Sequence, residues 1–494
     1  MKILLKLFSL KLIASILGLV YSIFQVRYFG ASRTIEIYFA AQSLVYLVTS
    51  LTQSGQLAEV FLPEYHKLNI KKQDSGYDAL NVVINRMMIY GSLLIFAVFI
   101  FAPFFVNILV PGFDRPDKNL ATLMFRVLLP YLYLQLMNSF FITVLNAEKK
   151  FGRAELLGLT NSVVNILSLV LLFDILGIWA LVVSLLLGKI IEFVFYFYQL
   201  FLNGYRYKPL LKTEGFDHQS FFQTMRSTFM YVGATQIYSF VLTASISFLP
   251  EGVFAVFKYV QNLANKISGL FVQPFLTIFF TAYSNLLHGA KAVSRTFSNN
   301  ILSLINVNVI TIIGSVLVGD LIIDYIWGGK KFGSEDVQLA YVFLLFNVLA
   351  ILINSLGSIY RKMAVAHGMA KSLYSFWVIA QLLSAGFSYL LIRFFQTNGL
   401  FFIIPINAFL LGITSFLMYK TTADSEKFNF YNHRTLIGFG LVGMAVALKY
   451  VLPRYLQVQN LHLLNFAFFI LVFLMSLYPI FSTFKVLKHE ENIS

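Results

Sequence analysis

The sequence predicts an all-α polytopic membrane protein with about fourteen transmembrane helices. They would form two parallel six-helix lobes followed by two C-terminal helices. Three observations carry this prediction. Of 494 residues, 58% are hydrophobic and 12% charged, whereas soluble domains are nearer half apolar and a quarter charged. A water-facing surface has no room for that excess. The apolar residues come in runs of about twenty, the length that crosses hydrocarbon as a helix. The basic residues gather in short loops between those runs. That is a membrane topology signal, so the net charge of +15 does not point to nucleic acid. The 27 tyrosines suit membrane–water boundaries, where a ring is apolar at one end and wet at the other. With no cysteine, disulfides and thiolate metal sites are excluded, and redox compartment is not legible.

The first thirty residues open like a signal peptide, but the apolar run is too long and no small-residue cleavage site follows. They are expected to remain as the first helix. Helices are predicted near 5–28, 36–62, 84–110, 119–146, 154–174, 178–203, 220–248, 253–286, 298–327, 336–362, 371–394, 398–420, 433–452 and 461–484. Turn and charge signals separate them: Pro111-Gly112 with Asp114, Lys149-Lys150-Phe151-Gly152-Arg153, Gly328-Gly329-Lys330-Lys331 and Gly368. The longest connections run only about a dozen residues, too short for an extramembrane domain. The division is 1–203 for the N-lobe, 204–421 for the C-lobe, and 422–494 for two further helices.

One face of this topology holds roughly 22 basic residues and the other roughly 9, which places both termini in the cytoplasm. An even number of crossings satisfies that placement. The chain also echoes itself. Ser54-Gly55 and Phe61-Leu62-Pro63 in helix two parallel Ser268-Gly269 and Gln273-Pro274-Phe275 in helix eight. Asn138-Ser139 before Lys149-Lys150 parallels Asn354-Ser355 before Arg361-Lys362. Both pairs share an offset of about 215 residues, as expected of a transporter built from parallel repeats.

Charges inside apolar runs are expensive and usually face a cavity or a partner. Most here are basic, which suits an anionic substrate better than a cationic drug. Lys258, Asn262 and Lys266 step by four along one face of helix eight, and lysine holds phosphate as a compact point charge. Lys258 and Lys11 lie near helix ends, where snorkelling is the bland alternative. Lys189 and Glu192, three apart, read as a mutually neutralising structural pair. Arg126 either anchors at the outer surface or closes a gate with an acid of the other lobe, such as Asp320 or Asp324. No GxxxxGK[ST], HExxH or clustered histidine occurs, which leaves P-loop hydrolysis and those metal sites without a motif. Asn161 and Asn165 within a helix favour packing or hydrogen bonding.

Arg27-Tyr28-Phe29-Gly30-Ala31, Glu36, Tyr38-Phe39-Ala40-Ala41, Gly55 and Phe61-Leu62-Pro63 resemble the opening of the MurJ/MviN lipid II flippases of the MATE/polysaccharide-exporter superfamily. Ala102-Pro103, Pro111-Gly112-Phe113, Arg126, Pro130-Tyr131, Leu145-Asn146-Ala147, Phe151 and Asn165 continue the likeness in order. So do Phe248-Leu249-Pro250-Glu251-Gly252, Tyr259 and the run from Gly269 to Ala282. The likeness covers roughly the first 290 residues. It implies a flippase that moves an undecaprenyl-pyrophosphate-linked oligosaccharide to the outer leaflet of a bacterial inner membrane by alternating access between two lobes. The last two helices would form a groove for the lipid tail. The family's cavity arginines fall here on Ser15, Tyr21, Thr49 and Asn262, none of them charged. Its early acid and outer arginine remain as Glu36 and Arg27. The expected headgroup residues are therefore Lys11, Arg27, Glu36, Lys258, Asn262 and Lys266, with lysines displaced by one turn replacing the lost arginines.

The expected function is thus lipid II-like precursor flipping in cell-wall biogenesis. O-antigen or exopolysaccharide repeat-unit flipping is the alternative. A cation-coupled multidrug antiporter would want buried acids, and a membrane glycosyltransferase acid-rich loops or an extramembrane domain. The chain is expected to be no enzyme and to need no cofactor, with any coupling to the membrane potential or a monovalent ion. Its partners would be the lipid-linked oligosaccharide, membrane lipid and cell-wall or polysaccharide synthesis enzymes, with no nucleic acid.

Overall fold

The computed structural model describes residues 2–53, 61, 65, 68, 75–148, 151–213, 218–273, 276, 293–367, 369–421, 433–451, 465 and 467–470. These are almost wholly helical, apart from an isolated bridge between Gly329 and Phe332. The helices are α1 (Lys2–Phe29), α2 (Arg33–Gln53), α3 (Ser75–Leu109), α4 (Arg115–Leu128), α5 (Pro130–Ala147), α6 (Phe151–Leu176), α7 (Trp179–Leu202) and α8 (His218–Ile246). After them come α9 (Val253–Ile267), α10 (Val293–Trp327), α11 (Ser334–Ala366), α12 (Ala370–Lys420) and α13 (His433–Val446). Single π-helical turns extend α9 over Ser268–Val272 and α13 over Ala447–Val451. Among the described residues eight helical segments are long and apolar enough to cross a membrane. The chain is a multi-pass membrane protein. It divides into two compact units, Met1–Ala255 and Val256–Ser494.

One predicted helix is broken for a backbone reason. The predicted helix 119–146 is two helices, because Pro130 has no N–H to continue the ladder of α4 and instead starts α5 at its first position. The predicted pair 371–394 and 398–420 is present as the two halves of α12, separated at Gln396, whose φ of 50° and ψ of −130° leave the helical region. Trp377 Nε1 donates to Ser415 Oγ at 3.0 Å, and Ser384 pairs with Asn407 at 3.0 Å. Both pairs are centred on Gln396, so the halves of α12 form an antiparallel hairpin. Of the predicted helix 461–484, only Asn465 and 467–470 fall within the described residues.

Long apolar faces stay outward, as lipid requires. Along α3, Leu93, Phe96, Phe101 and Phe104 are each more than half exposed. The same helix starts about nine residues earlier than predicted. Its first turns are not lipid-facing; they carry a strap made by the chain after α7. Asn81 Nδ2 donates to the Arg206 carbonyl, and Asn85 Nδ2 to the carbonyls of Lys208 and Leu210. Tyr205 and Tyr207 return hydroxyl donors to Asn81 Oδ1 and Asn85 Oδ1, each at 2.7 Å. Burial holds the Tyr205 phenol well above its usual range, so it remains a donor. Beneath the strap, Phe61, Tyr65, Tyr77, Phe140, Phe141 and Tyr196 pack into one aromatic core. The Glu148 carboxylate accepts from Tyr77, Tyr65 and Asn203 at its edge.

Asn85 alone satisfies two strap carbonyls. Asn85→Ala is therefore expected to cost about 1–2 kcal/mol locally and to raise amide exchange across 205–211 while leaving α5–α7 protected. Hydrogen exchange read by mass spectrometry checks this, and unchanged exchange in the strap would refute it.

Candidate substrate site

The helices bring the sequence-predicted residues to several separate places. At one end of the first unit, three turns meet: the chain after α1, the Pro111-Gly112-Phe113 turn, and the Phe248–Gly252 turn. Glu36, in the first turn of α2, has no solvent exposure. Its Oε1 accepts the backbone N–H groups of Gly252 at 2.8 Å, Phe254 at 3.0 Å and Ala255 at 3.4 Å. These are the free donors at the start of α9, where a carboxylate is favoured both by hydrogen bonding and by the helix dipole. Its other oxygen pairs with Arg33 Nη1 at 2.8 Å. Glu251 accepts the Arg33 backbone N–H at 2.6 Å, so each turn caps the other.

Glycines allow this meeting. Gly252 has φ +91°, and a Cβ there would crowd the Ala31 carbonyl. A Cβ on Gly112 would overlap the Ser247 carbonyl, while its N–H donates to Ser247 Oγ at 3.0 Å. In this structure Glu36 thus holds protein groups. Arg27 stands exposed in the last turn of α1, beside Tyr28, whose ring stacks on Phe173 at 4.0 Å. Lys11 lies on α1; its side chain is outside the described residues.

Lys258, Asn262 and Lys266 fall on α9 within the second unit, Asn262 exposed and both lysines partly buried. The π turn that follows Lys266 had no sequence signal beyond Ser268-Gly269. Arg126 donates Nε to the Phe99 carbonyl at 3.0 Å and lies over the Phe99 ring. Asp320 is bound by Lys449 at 2.7 Å, and Lys449 also reaches the Leu317 carbonyl. Asp324, one turn on, is exposed. The sequence reading missed Lys449 as a partner. The signal was available: a lone lysine in an apolar helix needs an acid, and Asp320 was one of the two acids singled out.

Lys189 and Glu192 form the expected ion pair, 2.6 Å apart and both buried. Asn138 adds a donor to Glu192 at 3.0 Å. At two of the positions where the resemblance places arginines, the Tyr21 hydroxyl meets Ser184 at 3.3 Å, and Thr49 donates to the carbonyls of Val45 and Tyr46. No group of three or more metal-ligating His, Cys, Asp or Glu side chains occurs among the described residues.

Removing the Glu36 carboxylate strands three helix-start donors and Arg33. Glu36→Ala is expected to lower stability by about 2–4 kcal/mol, with Glu36→Gln intermediate. Equilibrium denaturation in detergent micelles measures it; a loss below about 1 kcal/mol would mean the corner is not held this way.

A family model described as lipid II flippase MurJ matches residues 25–476. A probable lipid II flippase MurJ of Thermotoga maritima is 23% identical over 355 residues, 70% of each chain. Another from Buchnera aphidicola subsp. Baizongia pistaciae is 25% identical over 446 residues, 87% of this chain and 85% of its own. Among solved structures, lipid II flippase MurJ in an inward closed conformation superposes with a TM-score of 0.76 at 19% identity, covering 97% of this chain and 99% of its own. An inward-facing multidrug resistance MATE family transporter of the MOP superfamily gives 0.64 at 15% identity, covering 85% and 100%.

Proposed function

The chain belongs to the MurJ family of lipid II flippases, and we propose from that premise that it turns lipid II from the cytoplasmic to the outer leaflet of a bacterial inner membrane by alternating access. The observation that carries this is the family match over residues 25–476. The relatives that cover most of this chain bear the same function in their names, so O-antigen or exopolysaccharide flipping is not favoured. The protein acts as a transporter, moving its substrate unchanged.

The orientation we assign, both termini cytoplasmic, rests on the loop asymmetry of the basic residues. Headgroup binding falls to the lysine face of α9, Lys258 and Lys266 flanking Asn262, with Lys11 on α1 and Arg27 at the far end of that helix. Lys266 has no carboxylate partner among the described residues, which leaves a partly buried cation suited to a phosphate. Glu36 serves the site indirectly, by fixing the start of the helix that carries those lysines. Arg126 and the Asp320–Lys449 pair with Asp324 are the gate elements, and coupling is to the membrane potential or a monovalent ion. Enzymes that make or polymerise the precursor are its partners.

Depletion of the protein, followed by mass spectrometry of polyprenyl-linked lipids, is expected to show lipid II accumulating. A different accumulated oligosaccharide, or none, would overturn the reading. Lys266→Ala combined with Lys11→Ala is expected to slow flipping in proteoliposomes by roughly tenfold or more, the worth of a lost charged contact. Flipping at the unsubstituted rate would remove these lysines from the site.

A further inference from the structure

The interior of the first unit holds a polar group that is over-equipped for a structural role. Among the described residues Lys189 is the only buried lysine or arginine. Its ammonium meets Glu192 Oε2 at 2.6 Å and the face of the Tyr131 ring at 5.8 Å. One oxygen and a ring therefore serve three N–H donors. On the helices beside it, acceptors are left over as well. The side-chain oxygens of Asn138, 1% exposed, and Asn165, 9% exposed, accept no hydrogen bond, nor does that of Asn161. The oxygens of Asn161 and Asn165 both lie where a Cβ on residue 188 would sit, beside the peptide that carries Lys189. A pair that only neutralised itself would need no such surplus, because unsatisfied buried polar groups are costly and rare.

A pyrophosphate headgroup needs cations, and the first unit has few to offer. The positions where the resemblance places arginines are Ser15, Tyr21 and Thr49. The Thr49 hydroxyl is spent on its own helix, and Tyr21 on Ser184. Arg126 is committed to Phe99, and Arg33 to Glu36. Lys189 remains inside the bundle.

We propose that Lys189 is a phosphate-binding cation of the first unit, held by Glu192 as a resident counter-ion until the pyrophosphate of the lipid-linked substrate displaces that carboxylate. The proposal rests on the flippase reading above. The exchange breaks one Nζ–carboxylate contact and forms one Nζ–phosphate contact, while Asn138 keeps its hold on Glu192. Lysine fits this task, being a compact charge on a flexible stem that can turn from one anion to another. The spare amide oxygens of Asn138 and Asn165 are acceptors for headgroup hydroxyls, which bring donors that phosphate lacks. A carboxylate in this place also explains how a cation survives in the bundle when no substrate is bound, since an unpaired buried charge is far more costly than a paired one.

The test uses the full-length protein in nanodiscs, with undecaprenyl pyrophosphate as ligand and undecaprenol as the phosphate-free control. The double variant K189M/E192Q removes both charges together, so it keeps the interior neutral. It is expected to bind undecaprenyl pyrophosphate roughly ten- to a hundredfold more weakly, with undecaprenol binding and thermal midpoint unchanged. E192Q alone frees the cation and is expected to bind the pyrophosphate several-fold more tightly, while K189R stays within about threefold. A double variant that binds like the unsubstituted protein overturns the proposal, as does an E192Q that binds more weakly. If the double variant fails to fold, E192Q and K189R decide alone. An unsubstituted protein that prefers undecaprenol equally would sink the flippase reading itself, whatever the variants do.

Discussion

A carboxylate with no access to water must be surrounded by donors or be expelled, and Glu36 is so surrounded. Its burial has a strong consequence for the first unit. The donors are the first free amides of α9, so the start of that helix is fixed to the first turn of α2. Arg33 completes the neutralisation and is in turn fixed through its own backbone to Glu251. Every partner of Glu36 is local to the two turns, and Phe39 packs edge-on against Phe254 beside them. In lipid such a device suits better than hydrophobic contact, because hydrocarbon competes for apolar faces and not for amides.

The same logic explains the strap on α3. A segment of irregular backbone between α7 and α8 presents carbonyls that helix would otherwise satisfy. Asn81 and Asn85, one helical turn apart, supply amide donors at the spacing of an extended chain crossing a helix face. Two tyrosine hydroxyls close the accounting on the asparagine oxygens. Polar side chains thus appear on these helices where backbone needs partners, and phenylalanine and leucine where lipid does.

The sequence carried the fold class well, because hydropathy has a period and a length that the bilayer imposes directly. Helix ends were less legible. The break at Pro130 follows from a missing N–H, yet a proline also sits within α3 at Pro103 without ending it, so proline alone was ambiguous. The turn at Gln396 was visible only as a gap between apolar runs. Site residues were legible as types and not as partners. Glu36 was expected at a headgroup because the resemblance places an acid early in helix two. That its partners are amides more than two hundred residues away depends on tertiary geometry, and no local pattern encodes it. Lys189 and Glu192 were readable as a pair because three residues separate them on one helix; the asparagines that surround them belong to other helices.

The distribution of charge gives the interior a direction. Three acids in the helices are neutralised by protein: Glu36 by Arg33 and amides, Glu192 by Lys189 and Asn138, and Asp320 by Lys449. Basic residues exceed acidic ones by 37 to 22 in the whole chain. Among the described residues Lys266 is a partly buried cation with no carboxylate partner. A transporter of cations arranged this way would repel its own cargo, whereas an anionic headgroup supplies the missing counter-charge. Ser15, Tyr21, Thr49 and Asn262 are uncharged, so any cationic grip on such a headgroup comes from lysines such as Lys266, point charges on flexible stems.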